Sequence, residues 1–367
     1  MWVYLLDGVF GLNMRERILA GTMQAVGFHE HGTIANLELL DVPVPEVDAD
    51  EVLLDVQAAA LNHQDIFAVR ELEHYVPEYP FWGGGDFAGT IVAVGEAVEE
   101  WTVGDHVAVD PTITCGECRH CEAGEQSMCE AYAVFGEHRK GGFAEYATVP
   151  VRNLVAVPEH VPFTTAAAAP MATGTAWRAL LTRADLEPHD DLLIVGATGG
   201  VGHMAVQIAT EIVGVDTIYG TTSTDEKADF LRDLGVDHVI NYTEEAFDSR
   251  IWDHTDGRGV DAVYNNVGGE TWVQSMRSLN DGGRFVTSGA TAGPNPETEI
   301  RLVFGRQIDI KGSTAHSRTD LRRALGYVWD DTIEPVVQET YPLSDYEEAF
   351  RTMDEREAYG KLVFDLG

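Results

Sequence analysis

The chain has 367 residues, enough for two full hydrophobic cores, and it contains no apolar run near the roughly 18 residues a bilayer span requires. Asp and Glu number 61 against 24 Lys and Arg, a formal charge of −37, and only four residues are lysines: Lys140, Lys227, Lys311 and Lys361. So acidic a surface repels nucleic acid and anionic membranes, which removes both as partners. It reads as adaptation to a high-salt cytoplasm, where the Debye length shortens to about 3 Å at molar salt.

Residues 1–22 form an N-terminal extension that places apolar residues before Arg15 and Arg17, the reverse of a secretory leader. Either the extension is a disordered arm or Met23 is the biological start. From Met23 to about Pro158 the pattern is of short strands broken by Gly, Pro and Asp, such as MQAVGF, EVLLDVQAAALN, GTIVAVG and GGFAEYATVP, which predicts a compact β-rich domain.

All four cysteines fall inside this region, as Cys115-x2-Cys118-x2-Cys121-x7-Cys129. A secreted chain spreads its cysteines to staple distant segments, whereas a cluster this tight points to a metal held in a reducing cytosol. Four thiolates suit a closed tetrahedral zinc site with no open position, which organises a loop and does no chemistry. Arg119, His120 and Arg139 are expected to offset its negative charge.

From Asp191 the texture changes to strands alternating with amphipathic helices, the pattern of a doubly wound parallel sheet. Strands are expected at Leu192–Val195, Thr217–Gly220, His238–Asn241, Asp261–Asn265, Arg284–Ser288 and Gln307–Lys311. The first runs directly into Gly196-Ala-Thr-Gly199-Gly200-Val201-Gly202, and a helix with apolar residues at Val201, Met204, Ala205, Ile208 and Ile212 follows. Glycines between a buried strand and a helix N-terminus bring the backbone close to a pyrophosphate, so this is a dinucleotide site. The second strand ends without the carboxylate that binds an NAD ribose. Thr221, Thr222, Ser223 and Lys227 stand there instead, which suits the 2′-phosphate of NADP(H); Ser223 with Glu226 also fits a helix capping box. The chain closes with YGKLVFDLG, a strand expected to return to the first domain.

The cysteine lobe ahead of a late Rossmann fold is accompanied by Gly104-Asp105-His106-Val107, Gly141-Gly142-Phe143-Ala144-Glu145-Tyr146, Ala168-Ala169-Pro170, Thr175-Ala176-Trp177, Gly196–Gly202 and Gly360-Lys361. Together these resemble the medium-chain dehydrogenase/reductase superfamily, which includes zinc-containing alcohol dehydrogenases and quinone oxidoreductases. The resemblance implies an α/β fold: a β-rich GroES-like catalytic domain (23–171 and 309–367, zinc lobe 113–131) and a six-stranded Rossmann coenzyme domain (172–308). It also implies a homodimer or homotetramer formed through the edge at Ile308-Asp309-Ile310.

Carried over position by position, the family's catalytic-zinc ligands fall on Asn62, Gly85 and near Met171, none of which suits that site. The Asn62-His63-Gln64-Asp65 run instead resembles the Asn-x-x-Asp of the quinone oxidoreductase branch, as do the NADPH-phosphate positions Ser223, Lys227 and Tyr242. That branch often has tyrosine where Phe67 stands. Asn62 is then the candidate donor to the substrate oxygen, and Asp65 orients the loop or the nicotinamide ribose. Thr175, Asn265, Asn266, Val267, Gly268 and residues 288–291, with Gly289 and Ala290 among them, are expected to contact the coenzyme. The function implied is NADPH-dependent hydride transfer to a quinone or α,β-unsaturated carbonyl, with one structural zinc. The alternatives are an alcohol dehydrogenase using an unusual metal site built from His63 and His138 with Asp65 or Asp86, and a non-catalytic NADPH-binding protein.

Overall fold

The computed structural model describes residues 21–70 and 78–367, in two compact units: residues 21–171 with Val337–Gly367, and Ala172–Val336. All but the last two residues of the expected N-terminal extension lie outside the described residues; Thr22 already belongs to the first strand and pairs with Pro43. Among the described residues no helix is long and apolar enough to cross a membrane.

The first unit is built on a sheet whose long central strand, Glu51–Ala60, is buried along most of its length. It pairs antiparallel with Asp86–Val94, Tyr146–Pro150 and Lys361–Asp365. The sheet continues through His106–Val109 to Leu154–Ala156 on one side and to Val337–Tyr341 on the other. The C-terminal strand thus returns to the first unit, adding a parallel pair with Val337–Tyr341. Val52, Leu54, Val56, Phe87, Ile91 and Val107 fill the core, and Phe143 meets Phe364 and Phe350 edge-on with ring centroids 5.1 and 5.8 Å apart. Edge-to-face contacts of this kind suit the ring quadrupoles.

The second unit is a six-stranded parallel sheet. Its strands are, in chain order, Asp191–Val195, Thr217–Thr222, His238–Asn241, Val260–Asn265, Leu279–Thr287 and Asp309–Gly312. Their spatial order is third, second, first, fourth, fifth, sixth, so the order reverses beside the first strand, where doubly wound sheets bind their ligand. The sequence predicts an end to this domain at residue 308. The compact unit instead runs to Val336, because Asp309–Gly312 pairs with Leu279–Thr287 as the sixth strand and the helix Arg318–Trp329 follows within the same unit. Arg178 from the segment Arg178–Ala184 anchors that helix through a buried ion pair with Asp320, 2.9 Å.

Candidate active site

In the first unit the pairing register gathers three side chains that are distant in sequence. Ala60 lies opposite Asp86 on one neighbouring strand and opposite Val363 on the other. Both flanking strands begin where the central strand ends, so Asn62, Asp86 and Lys361 meet just past its C-terminal end. Lys361 Nζ donates to Asn62 Oδ1 at 2.7 Å and to Asp86 Oδ2 at 3.2 Å. Asn62 Nδ2 donates to the same Asp86 oxygen at 2.9 Å, and the Met171 backbone N–H donates to the other at 2.9 Å. Asp86 and Lys361 are buried, at 0 % and 2 % exposure, and Asn62 is half-buried. In the sequence Lys361 stands out only as part of the Gly360-Lys361 motif. Its signal was a lysine opening an apolar strand in a chain with four lysines.

Asn62 precedes the helix His63–Val69. Asp65, in its first turn, is buried and spends both oxygens on backbone donors: Asn62 N at 2.8 Å and Gly84 N at 2.8 Å. Burial lifts its carboxyl to about 7, against those two donors and Lys361, which pull it down. Asp65 therefore ties the helix to the Gly83–Gly85 loop. The loop is further fixed by Gly142 N donating to Gly84 O at 2.8 Å, and Gly84 has φ +93, where a side chain would be strained.

The residues at the position of a catalytic metal do not fit one. A Cβ at Gly85 would stand 2.9 Å from the Phe135 carbonyl oxygen, so a histidine there requires the backbone to move. The Asn62 and Asp86 oxygens already accept from the Lys361 ammonium. His63 is exposed, and among the described residues the four cysteines are the only group of three or more metal-type ligands gathered closely.

That cysteine group does fit an ion. The four ligand atoms lie within 4.8 Å of one another, with sulfur separations of 3.5 Å for Cys115–Cys129, 3.9 Å for Cys115–Cys121 and 4.0 Å for Cys118–Cys129. An ion about 2.3 Å from each of four tetrahedral sulfurs would space them about 3.8 Å apart. Backbone N–H groups of Cys115, Cys118 and Ala131 point at sulfurs, as thiolates require. Donors from Glu130 and Cys121 lower the Cys118 thiol to about 6. The lobe is carried by the two-stranded pair Thr112–Ile113 and Ala133–Val134. Of the cations expected to offset its charge, Arg119 lies near Glu130 at 3.5 Å, whereas Arg139 is bound to Glu51 at 2.7 Å and to Thr148. Arg152 takes that place, donating to the Cys115 carbonyl at 3.1 Å.

In the second unit the glycine turn has the geometry a pyrophosphate needs. Gly196 has φ +80, and a Cβ there would meet Asn266 Oδ1 at 2.6 Å; one at Gly202 would meet the Gly196 carbonyl oxygen at 2.1 Å, so only glycine lets helix and strand approach. At Gly199, by contrast, the nearest atom to a Cβ is Gly196 O at 3.7 Å, leaving room for a ligand. Gly199 caps the helix Gly200–Gln207, whose first bond to Gly199 is made by His203 N. The N–H groups of Gly200, Val201 and Gly202 are thus the helix's unsatisfied first-turn donors.

Loops after the fourth and fifth strands stand beside this turn. Asn266 and Val267 approach Gly196, and Ala292 N donates to Val267 O at 2.8 Å, stitching residues 266–268 to 289–293. A Cβ at Gly289 would meet Asn266 O at 2.6 Å, and one at Gly268 would meet Ala290 Cα at 3.0 Å. Asn265, expected to line the pocket, is fully buried. Its side-chain Oδ1 accepts from Val267 N and Gly268 N, and its Nδ2 donates to Thr271 and Ser275, so it builds the loop. Ser288 hydrogen-bonds the buried Tyr264 hydroxyl, which burial raises to about 12.

At the end of the second strand, Thr221 Oγ1 accepts from Gly196 N at 3.1 Å. Thr224, not Ser223, caps the helix Asp225–Asp233, accepting from Lys227 N at 3.3 Å, which leaves the half-buried Ser223 hydroxyl outside the cap. Lys227 is buried in that first turn, and Tyr242 N bonds Thr222 O at 3.0 Å, which sets the exposed Tyr242 ring beside the same loop. Thr175 lies buried on the helix Pro170–Trp177.

The family model described as alcohol dehydrogenase GroES-like domain matches residues 48–159, and that described as zinc-binding dehydrogenase matches residues 200–329. The acryloyl-coenzyme A reductase of Sulfurisphaera tokodaii is 31 % identical over 333 residues, 89 % of this chain and 95 % of that protein. The NAD-dependent alcohol dehydrogenase of Sulfolobus acidocaldarius is 30 % identical, covering 94 % of this chain and all of the relative. A crystal structure of an NAD-dependent alcohol dehydrogenase superposes with a TM-score of 0.89 at 34 % identity, over 94 % of this chain and 100 % of that one.

Proposed function

Since the chain belongs to the medium-chain dehydrogenase/reductase superfamily and is an NAD(P)-dependent oxidoreductase, we propose that it passes hydride from NADPH to a conjugated carbonyl, with its single zinc structural. The observation that carries this reading is the Lys361–Asn62–Asp86 cluster, standing where a metal would otherwise polarise the substrate.

Without a metal, a simple ketone is hard to polarise and an alcohol hard to deprotonate. An α,β-unsaturated carbonyl or quinone accepts hydride at a carbon removed from the oxygen. NADPH, when bound, supplies that hydride and its two electrons. A C–H bond forms at the β-carbon, the C=C π pair moves to give negative charge on the carbonyl oxygen, and a proton from water completes the reduced product. Asn62 Nδ2 is the donor to that oxygen, and Asp65 holds the turn that presents it. The similarity to an acryloyl-coenzyme A reductase supports the unsaturated carbonyl, an enoyl thioester included, as the substrate class.

The choice of NADPH rests on Ser223, Lys227 and Tyr242 at the end of a strand with no terminal carboxylate, together with Thr175, Gly199–Gly202, Asn266, Val267, Gly289 and Ala290 for the rest of the coenzyme. A homodimer is supported by the open edge strand Asp309–Gly312 and by the exposure of Ile310, Ile300 and Phe304 in this part of the chain.

The deciding experiment pairs metal analysis with turnover. About one zinc per chain, with NADPH-dependent reduction of crotonaldehyde or benzoquinone exceeding oxidation of primary alcohols, is expected. Two zinc ions per chain, or alcohol oxidation alone, would overturn the reading.

A further inference from the structure

We infer that Lys361 is a positioning residue that sets the orientation of the Asn62 amide and strengthens its remaining N–H toward the substrate oxygen, an inference that rests on the donor role proposed for Asn62.

An asparagine amide has an oxygen with two lone pairs and a nitrogen with two donors. In Asn62 the oxygen accepts from Lys361 Nζ at 2.7 Å, and one N–H goes to Asp86 Oδ2 at 2.9 Å. Flipping the amide would turn its NH2 toward the ammonium and its oxygen toward the carboxylate, two like-pole contacts in a buried setting. The flip is therefore closed, and one donor of Nδ2 stays unspent by the cluster. Asp86 and Lys361 are buried while Asn62 is half-buried, so Asn62 is the member of the three that reaches the surface.

Charge reinforces the geometry. An ammonium on the amide oxygen draws electron density from nitrogen, and chained hydrogen bonds polarise one another. The cation thus acts one group behind the reacting oxygen. Asp86 balances its charge within 3.2 Å and is itself held by the Met171 N–H. Lys361 also sits at the start of its strand, where Leu61 N bonds Leu362 O at 2.9 Å, so its Cα is fixed relative to the Asn62 turn.

The test compares four proteins: wild type, Asn62→Ala, Lys361→Met with Asp86→Asn, and all three changes together, assayed with NADPH and crotonaldehyde after thermal unfolding confirms the fold. The paired change removes both charges at once, so no lone carboxylate is left buried. Expected are a kcat loss of about 100-fold for Asn62→Ala and about tenfold for the paired change. KM for NADPH should stay within about twofold, and the paired change should alter kcat by less than about twofold in the Asn62→Ala background, the mark of two groups acting as one. An equal loss in both backgrounds overturns the inference while leaving Asn62 as donor. Wild-type kcat in Asn62→Ala overturns the donor role itself and the inference with it. Should the paired variant not fold, Lys361→Gln keeps a donor to Asn62 without the charge, and the same coupling to Asn62→Ala decides.

Discussion

Replacing Lys361 by methionine should destabilise the first unit far more than removing its partner along with it. The ammonium and the Asp86 oxygen are 3.2 Å apart, and both side chains are at most 1 % exposed. At an effective dielectric of about 20, that separation corresponds to roughly 5 kcal/mol of attraction. The Met171 N–H and Asn62 Nδ2 still serve Asp86 after the substitution and offset part of the loss. The expected cost is therefore about 3–5 kcal/mol, the range for a buried charge stripped of its partner. At about 2–4 °C per kcal/mol for a unit of this size, Tm should fall by roughly 6–20 °C. Lys361→Met with Asp86→Asn removes the uncompensated charge and should lie within about 2 kcal/mol of wild type. Differential scanning calorimetry of the three proteins at one salt concentration reads both numbers. If Lys361→Met melts within about 2 °C of wild type, water reaches Asp86 and the argument from burial is wrong.

Removing zinc by chelation, or by Cys129→Ser, should abolish the bound equivalent and open residues 113–131 to limited protease while NADPH binding is retained; loss of coenzyme affinity would contradict a purely structural ion. Lys227→Ala should lower kcat/KM for NADPH by at least about tenfold and leave NADH within about twofold, as expected of a charge-assisted phosphate contact; equal losses with both coenzymes would remove Lys227 from the phosphate site. For Asp65, whose folded carboxyl is raised to about 7, the folded chain holds a proton that the unfolded chain has released, so its stabilising contribution is full at acid pH and drains away as pH rises to about 7. The stability difference between wild type and Asp65→Asn should accordingly fall by about 1.4 kcal/mol per pH unit from pH 5 to about 7 and level off above; a difference that grows with pH would reverse the sign. With a formal charge of −37, Tm should rise between 0.1 and 2 M KCl as self-repulsion is screened, and a flat profile would separate the acidity from salt adaptation.

The features readable from the chain alone were those whose cause is local. Gly196, Gly199 and Gly202 lie within seven residues of one strand–turn–helix, and Gly202 is required there by its contact with the Gly196 carbonyl and Ala197, although Gly196 is also crowded by Asn266 and Val267 from a later loop. The four cysteines are likewise one loop. The six parallel strands are legible in the alternation of strand and helix patterns, and five of their starts fall within two residues of the expected ones, the exception being Leu279–Thr287, which begins ahead of Arg284. What escaped depends on partners elsewhere. A helix such as Arg318–Trp329 shows an apolar face but not the surface it will cover, so the domain end at Val336 left no local mark. The cap fell on Thr224 and not Ser223 because two adjacent hydroxyls have equal propensity, and only the turn geometry chooses between them. Asn265 looked like a pocket residue from its place at a strand end, and nothing in its neighbours foretold that two backbone N–H groups would claim its oxygen.

The same distinction bears on the missing metal ligands. The family resemblance puts Asn62, Gly85 and a position near Met171 where zinc ligands are expected, which on its face needs only three substitutions to reverse. The structure makes it a property of three strands. The Phe135 carbonyl lies where a side chain at Gly85 would begin, and Phe135 N is itself bonded to Pro111 O at 3.0 Å, so that oxygen cannot retreat without disturbing the strand that leads to the cysteine lobe. The Lys361 ammonium holds the Asn62 and Asp86 oxygens from a neighbouring strand whose register is fixed on both sides. Restoring ligands at 62 and 85 alone would thus place a divalent cation against a buried positive charge beneath a backbone clash. The Asn62→Cys, Gly85→His variant should take up no second zinc, by metal analysis, unless Lys361 is also replaced and the Phe135 segment shifts. Uptake of a second ion by that variant with Lys361 intact would show that the ammonium does not bar a cation from this position.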